Sequence, residues 1–288
     1  MLHRAVIAWY DVHARVLPWR KPGCSPWGVL VSEVMLQQTP VARVLPAWSM
    51  WMDRWPSAGD LAADSPAEAI RMWGRLGYPR RAIRLHSAAG AIVARHGGQV
   101  PSDHGDLLAL PGIGSYTAAA VASFAFGGRH TVVDTNVRRV FARAISGVQF
   151  PAATLTAAET RLAETLLPQD AAMAARWGAA SMELGAVLCT ARKARCDLCP
   201  IAPQCVWVLD GRPDYDGPTR RSQGYEGTDR QMRGWLLAAL RTAEHPLAES
   251  ALLATGGDRE RAVRCLASLV DDALVSALTG ERYELPRA

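Results

Sequence analysis

Four of the six cysteines in this 288-residue chain, Cys189, Cys196, Cys199 and Cys205, fall within one short stretch spaced C-x6-C-x2-C-x5-C, while Cys24 and Cys265 stand alone. Such clustering in an intracellular protein is a metal-site pattern, and the segment must fold as a loop around whatever its thiolates hold. Four thiolates suit either tetrahedral zinc or a cubane iron-sulfur cluster, and general chemistry alone leaves both open. An intracellular setting is expected because the longest apolar stretch, Thr117 to Gly128, is Ala-rich and about half the ~20 residues of a membrane span. Asp11 and Arg15 also interrupt the region where a signal peptide would carry its apolar core. With 49% hydrophobic and 20% charged residues the chain can bury a full core in two or three domains. The net charge of +5 leans mildly toward a polyanionic partner.

Apolar residues recur at helical spacing from Leu2 to Leu209, and alternating runs are scarce. Breaks at 18–26, 55–59, 97–103, 111–114, 127–129 and 147–152 leave ordinary helices between short loops, an all-α pattern. Residues 209–225 read as a linker. Beyond it, Thr228 or Asp229 and then Asp258 cap helices, and 273–278 with 282–285 form a hairpin about Thr279-Gly280. Three helices and a hairpin predict a winged-helix-like module over 226–288. It either binds DNA through Arg259, Arg261 and Arg264 of its third helix, or is a docking or structural appendage.

Three further features carry chemistry. In Leu110-Pro111-Gly112-Ile113-Gly114-Ser115-Tyr116-Thr117, two glycines around one aliphatic residue permit a sharp turn. Consecutive amides are thereby exposed at a helix start, where an anion such as a DNA phosphate would sit. Asp134, in Val132-Val133-Asp134-Thr135-Asn136-Val137, is placed as an N-cap, the commonest role for Asp there. Glu33 lies inside an otherwise apolar helical segment, 28–36. A solvated face is the ordinary reading of one such Glu, but with Asp134 it allows the acid and stabiliser pair that glycosidic bond cleavage uses. Lys21 and Lys193 are the only lysines among 32 basic residues, so amine-based covalent catalysis has two candidates, both outside these segments.

The hairpin, the downstream Asp and the cysteine spacing, in this order, resemble the helix-hairpin-helix DNA glycosylases that carry a [4Fe-4S] cluster, over residues 1 to about 208. Within that superfamily, Leu17-Pro18-Trp19-Arg20, Ser32-Glu33-Val34-Met35-Leu36-Gln37-Gln38-Thr39, Leu76-Gly77-Tyr78 and Met182-Glu183-Leu184-Gly185-Ala186 look like segments of the MutY-type adenine DNA glycosylases. Where endonuclease III and related lyases carry a lysine, this chain has Tyr116.

The resemblance implies a bilobal all-α fold with a central lobe, 18–128, and a cluster lobe, 1–17 plus 129–208, around a cleft. It implies a monomer, cytoplasmic and associated with the nucleoid, acting on double-stranded DNA with adenine opposite 8-oxoguanine or guanine. No membrane is involved. Glu33 would protonate adenine N7, Asp134 would face the sugar cation, Tyr116 would orient the carboxylates and Asn136 would support Asp134. Trp19, Arg20 and Glu183 look like adenine-pocket residues, and Gln38, Thr39, Leu76 and Tyr78 like contacts around 8-oxoguanine. Gly112, Ile113 and Gly114 would hold the DNA backbone, and the four cysteines the [4Fe-4S] cluster. Three features depart from the family pattern. Thr135 stands where a Gly is usual, and Ala179 where many members have Gln. The usual Nudix-like terminal domain is replaced by the short module. A thymine or uracil mismatch glycosylase would share the scaffold without needing Glu33, a DNA-binding regulator would bind without releasing a base, and an electron-transfer protein would leave most of the motifs idle.

Overall fold

The computed structural model describes residues 2–217 and 224–287. Of the expected linker, 218–223 lie outside the described residues. The chain divides into two compact units, Met1–Glu33 with Pro101–Ala109 and Ile113–Pro218, and Val34–Val100 with Leu110–Gly112 and Thr219–Ala288.

In the first unit the helices Leu2–His13, Thr135–Ala144 and Ala171–Val187 pack together. Val6, Val137, Val140, Phe141, Trp177 and Leu184 form their common core. Phe141 and Trp177 stack with ring centroids 5.9 Å apart. The helix Thr135–Ala144 starts where Asp134 accepts from the amides of Asn136 and Val137, and Ala171–Val187 where Asp170 accepts from Met173. These caps satisfy amides that helix geometry leaves orphaned. The two helices approach so closely at Gly185 that a Cβ there would stand 2.7 Å from the Asn136 carbonyl oxygen. Glycine is thus required at 185 to keep Asn136 in place.

The second unit holds Val41–Arg54, Ala58–Ala63, Pro66–Trp73 and Arg80–His96. Trp51 meets Trp55 and Trp73 edge-on at 4.6 and 5.7 Å, the geometry aromatic quadrupoles favour. The helices expected near the C-terminal end form as Asp229–Thr242, Glu249–Leu253 and Arg259–Asp271, the first capped by Thr228 and the third by Asp258. A short strand that the sequence reading lacks, β1 (Leu247–Ala248), joins the hairpin strands β2 (Ser276–Leu278) and β3 (Arg282–Glu284) in an antiparallel sheet of order β1-β3-β2. Ala67 and Ile70 share one buried core with Leu236, Leu240, Leu266 and Leu285, so the module is continuous with the helices of 66–96. Arg71 Nε donates to the Arg241 carbonyl at 3.3 Å, and Arg241 Nε to the Ile70 carbonyl at 3.0 Å.

Candidate active site

Glu33 sits on the helix Pro26–Leu36, whose residues from Trp27 to Met35 are buried without exception. A helix apolar all round is an interior helix, and it carries the carboxyl inward at 6% exposure. The ordinary reading of a solvated face is thereby excluded. Burial pushes the Glu33 carboxyl up to about 7. Tyr116 Oη donates to Glu33 Oε2 at 3.1 Å and, with the Arg20 charge, opposes that rise, whereas the Asp134 charge adds to it. The Tyr116 hydroxyl is itself held well above its ordinary value, first by burial and then by the Glu33 and Asp134 charges, so it is a neutral donor.

Asp134 caps its helix, as the plain reading expects, and this is compatible with a second role. Its Oδ1 accepts from the amides of Asn136 at 2.9 Å and Val137 at 2.7 Å, and its Oδ2 from Asn136 Nδ2 at 2.6 Å. Burial raises its pKa above the ordinary aspartate value despite these donors. The negative charge of Asp134 in turn helps to keep the proton on Glu33. The pair therefore supplies one buried acid whose pKa lies near neutrality and one carboxylate braced by three donors, two environments suited to two tasks.

Glu183 is wholly buried and its pKa is lowered to about 2. Burial opposes ionisation there, but hydrogen bonds from Arg15, led by Nε at 2.6 Å, and the nearby charge of Arg20, whose Nη1 is 2.9 Å away, outweigh it. This anchors Arg20 and the buried Trp19 on their short 3-10 turn beside the carboxylates. Sequence reasoning missed Arg15 in this role. It also missed Arg139, which donates to Asn136 Oδ1 at 2.8 Å, the Gly185 carbonyl at 2.7 Å and the Cys189 carbonyl at 2.6 Å. An unbroken polar chain therefore runs from Asp134 through Asn136 and Arg139 to the first cysteine.

Cys189, Cys196, Cys199 and Cys205 line one small cavity with Leu188, Ile201 and Trp207, and none is in a disulfide. Among the described residues no three His, Cys, Asp or Glu side chains gather as a single metal ion would require. Four sulfur donors around one common space are a set that suits either tetrahedral zinc or an iron-sulfur cluster. Arg143, 2% exposed, donates to Cys189 Sγ at 3.3 Å and to the Thr190 carbonyl at 2.9 Å, a cation placed beside the first of the four sulfurs. Burial pushes the Cys199 thiol up to about 11.

The remaining candidates lie elsewhere. Gly112 has φ of +74°, the left-handed conformation that a helix-hairpin-helix turn demands, Ile113 is buried, and Gly114 precedes the helix Ser115–Phe126. Gln38 and Tyr78 are exposed and both adopt positive φ, +54° and +47°, rare for non-glycine residues. Thr39 and Leu76 are buried and tied together, Thr39 Oγ1 donating to the Leu76 carbonyl at 3.3 Å. Arg81 clasps both loops. Its Nη1 donates to the Gln37 carbonyl at 2.6 Å, and its Nη2 to Thr39 Oγ1 at 2.9 Å and the Gly77 carbonyl at 3.0 Å. In the C-terminal module, Arg264 and Arg261 lie 3.3 and 3.4 Å from Asp229, and Arg261 also pairs with Asp258. Two of the three arginines expected to reach DNA are thus engaged within the module. No helix among the described residues is long and apolar enough to cross a membrane.

Residues 31–164 match the family described as HhH-GPD superfamily base excision DNA repair protein. The chain is 50% identical over 282 residues to the adenine DNA glycosylase of Mycobacterium tuberculosis, covering 98% of this chain and 92% of that protein. Such coverage includes most of the C-terminal module. The human adenine DNA glycosylase is 40% identical over 210 residues, covering 70% of this chain and 38% of the human protein. Among solved structures, a thermostable thymine-DNA glycosylase aligns with a TM-score of 0.64 at 27% identity over 73% of this chain and 95% of its own. A non-covalent endonuclease III–DNA complex aligns with a TM-score of 0.61 at 22% identity over 73% and 94%, a likeness of fold.

Proposed function

Since this chain belongs to the adenine DNA glycosylases of the helix-hairpin-helix superfamily and removes adenine in base excision repair, we propose that its substrate is adenine mispaired with 8-oxoguanine or guanine in duplex DNA. The observation carrying the chemistry is the buried Glu33, its pKa raised to about 7, within reach of the charge of a second carboxylate, Asp134, that three donors hold in place. Adenine is a poor leaving group. Protonation at N7 by Glu33 turns it into a good one, and the bond breaks with oxocarbenium character on the sugar. Asp134, fixed by three donors, faces that charge without having to reorganise. Glu33, now ionised, accepts a proton from the water that completes hydrolysis. Tyr116 holds the Glu33 carboxyl in aim throughout.

A base in a duplex must be extruded before its glycosidic bond can be reached. Tyr78 and Gln38, presented on left-handed turns, serve as the wedge and the contact beside the estranged partner base. Trp19, Arg20 and Glu183 form the adenine pocket, and Gly112, Ile113 and Gly114 hold a backbone phosphate. The enzyme works as a monomer and hydrolyses without a Schiff base, because Tyr116 occupies the lyase lysine position. Cys189, Cys196, Cys199 and Cys205 would hold a [4Fe-4S] cluster, which when bound would take up four thiolates, that of Cys205 buried and the others half-buried, and staple residues 189–205.

Single-turnover base release from duplexes carrying adenine opposite 8-oxoguanine, guanine or thymine, together with a thymine-guanine mismatch, tests this reading. Adenine is expected to leave from the first two only. Thymine release from the last duplex would instead favour a thymine mismatch glycosylase.

A further inference from the structure

The C-terminal module has no part in the chemistry above, yet its position in the second unit is fixed. Beyond the shared core and the Arg71 and Arg241 hydrogen bonds, Asp272 pairs with Arg80 at 3.2 Å and with Arg233 at 2.6 Å. Arg80 opens the helix that follows the Gly77-Tyr78-Pro79 turn. One end of the module is thereby pinned to the turn that presents Tyr78. The first helix of the module brings Arg230 to the same place, with its guanidinium carbon 5.9 Å from the centroid of the Tyr78 ring. Arg81 approaches that ring at 5.6 Å from within the body. The two arginines differ in commitment. Arg81 is buried and both its Nη groups are spent on backbone carbonyls and Thr39, whereas Arg230 is exposed and pairs with no carboxylate among the described residues.

Tyr78 is 46% exposed and its backbone is left-handed, an arrangement that persists only where the surroundings impose it. A half-exposed ring without lateral support would sample other rotamers. A planar guanidinium against the ring face limits that sampling while leaving its own N–H groups free for an anion.

We propose that the C-terminal module is a working part of the surface that reads the strand opposite adenine: Arg230 braces the Tyr78 ring and binds the DNA phosphate beside the base that Tyr78 contacts. This rests on the reading of Tyr78 given under Proposed function. It moves the DNA contact of the module from the third helix, where Arg261 and Arg264 face Asp229 and Asp258, to the start of the first.

The test uses the full-length protein. Single-turnover rates and salt-dependent binding are measured on adenine opposite 8-oxoguanine and opposite guanine for Arg230→Ala, Arg230→Lys, Tyr78→Ala and the double variant Arg230→Ala/Tyr78→Ala, with Arg259→Ala as an exposed-arginine control. Arg230→Ala is expected to lower the 8-oxoguanine preference about threefold to fivefold and to reduce the salt slope of binding by about one. Arg230→Lys should recover the slope, because the charge remains, but not the preference, because the planar contact is lost. In the Tyr78→Ala background, Arg230→Ala should change the preference no further. An effect on preference that persists without Tyr78, or one matched by Arg259→Ala, overturns the brace. If Tyr78→Ala is impaired while Arg230→Ala is silent, the brace alone fails. A Tyr78→Ala variant that keeps the full preference removes the underlying reading and the brace with it.

Discussion

Replacing Glu33 by Gln should abolish base release and, above neutral pH, make the protein more stable. Burial, first among the causes, lifts the Glu33 pKa from an ordinary 4.5 to about 7 in the folded protein. At about 1.36 kcal/mol per unit, ionising the buried carboxyl opposes folding by roughly 3 kcal/mol. The direction follows from proton counts. Below 4.5 the group is protonated in both states and contributes no difference. Between 4.5 and 7 the unfolded chain gives up its proton while the folded one keeps it, so stability falls as pH rises. Above 7 the folded carboxyl is ionised too, and the deficit is fully developed. Gln never ionises, is nearly isosteric and still accepts from Tyr116. Urea unfolding of wild type and Glu33→Gln at pH 4.5 and pH 8 should therefore show a gap of about 3 kcal/mol more in favour of the variant at the higher pH. A gap that does not widen with pH would refute the claim that Glu33 is held protonated by its surroundings. The same titration limits the reaction, because the acid form is the active one, so the wild-type rate should decline as pH passes through about 7.

Asp134→Asn should lower single-turnover base release by at least about a hundredfold, while mismatch affinity measured by gel shift stays within about tenfold. The reaction product should be an intact abasic site, cut only after alkali, and borohydride should trap no covalent enzyme-DNA adduct; efficient trapping at Lys21 or Lys193 would overturn the monofunctional reading. Purified protein should contain iron and sulfide with visible thiolate-to-iron absorbance, whereas stoichiometric zinc in a colourless, fully active protein would defeat the cluster assignment. Arg241→Met strands the Ile70 carbonyl and should destabilise the protein by about 1–3 kcal/mol in urea unfolding.

What could be read in advance was whatever local chemistry enforces. Thr228, Asp258 and Asp134 cap helices by short-range hydrogen bonds, and the Gly- and Pro-marked breaks fall between helices because those residues act on their own backbone. The turns bearing Gln38 and Tyr78 were not legible as breaks, since neither residue type favours positive φ, and Arg81, which holds the Gly77 carbonyl locally, reaches the Gln37 carbonyl across 44 residues of sequence. Gln38 and Tyr78 were found only through resemblance. Arg15, Arg81, Arg139 and Arg143 escaped for a different reason. In a chain with 30 arginines among its 32 basic residues, no single arginine stands out until burial and partners are known. The fusion of the C-terminal module with Ala67 and Ile70 was equally hidden, because a small apolar residue on a helix does not declare which helix will cover it.

That fusion bears on the order in which the protein can mature during synthesis. Arg71 and Arg241 meet across 170 residues of sequence, and Ile70 is covered by side chains as late as Leu285. While a ribosome is still making the residues between, the helix Pro66–Trp73 has emerged but its covering has not, and Ala67 and Ile70 face solvent. The second unit therefore closes only after the final turns of the chain are released, whereas the cysteine segment is already complete by Cys205. Completion of the cysteine segment and closure of the second unit become separate events in time, and a nascent chain that has exposed Cys205 but not yet the helix from Asp229 would present all four cysteines while still lacking the cover of Ala67 and Ile70.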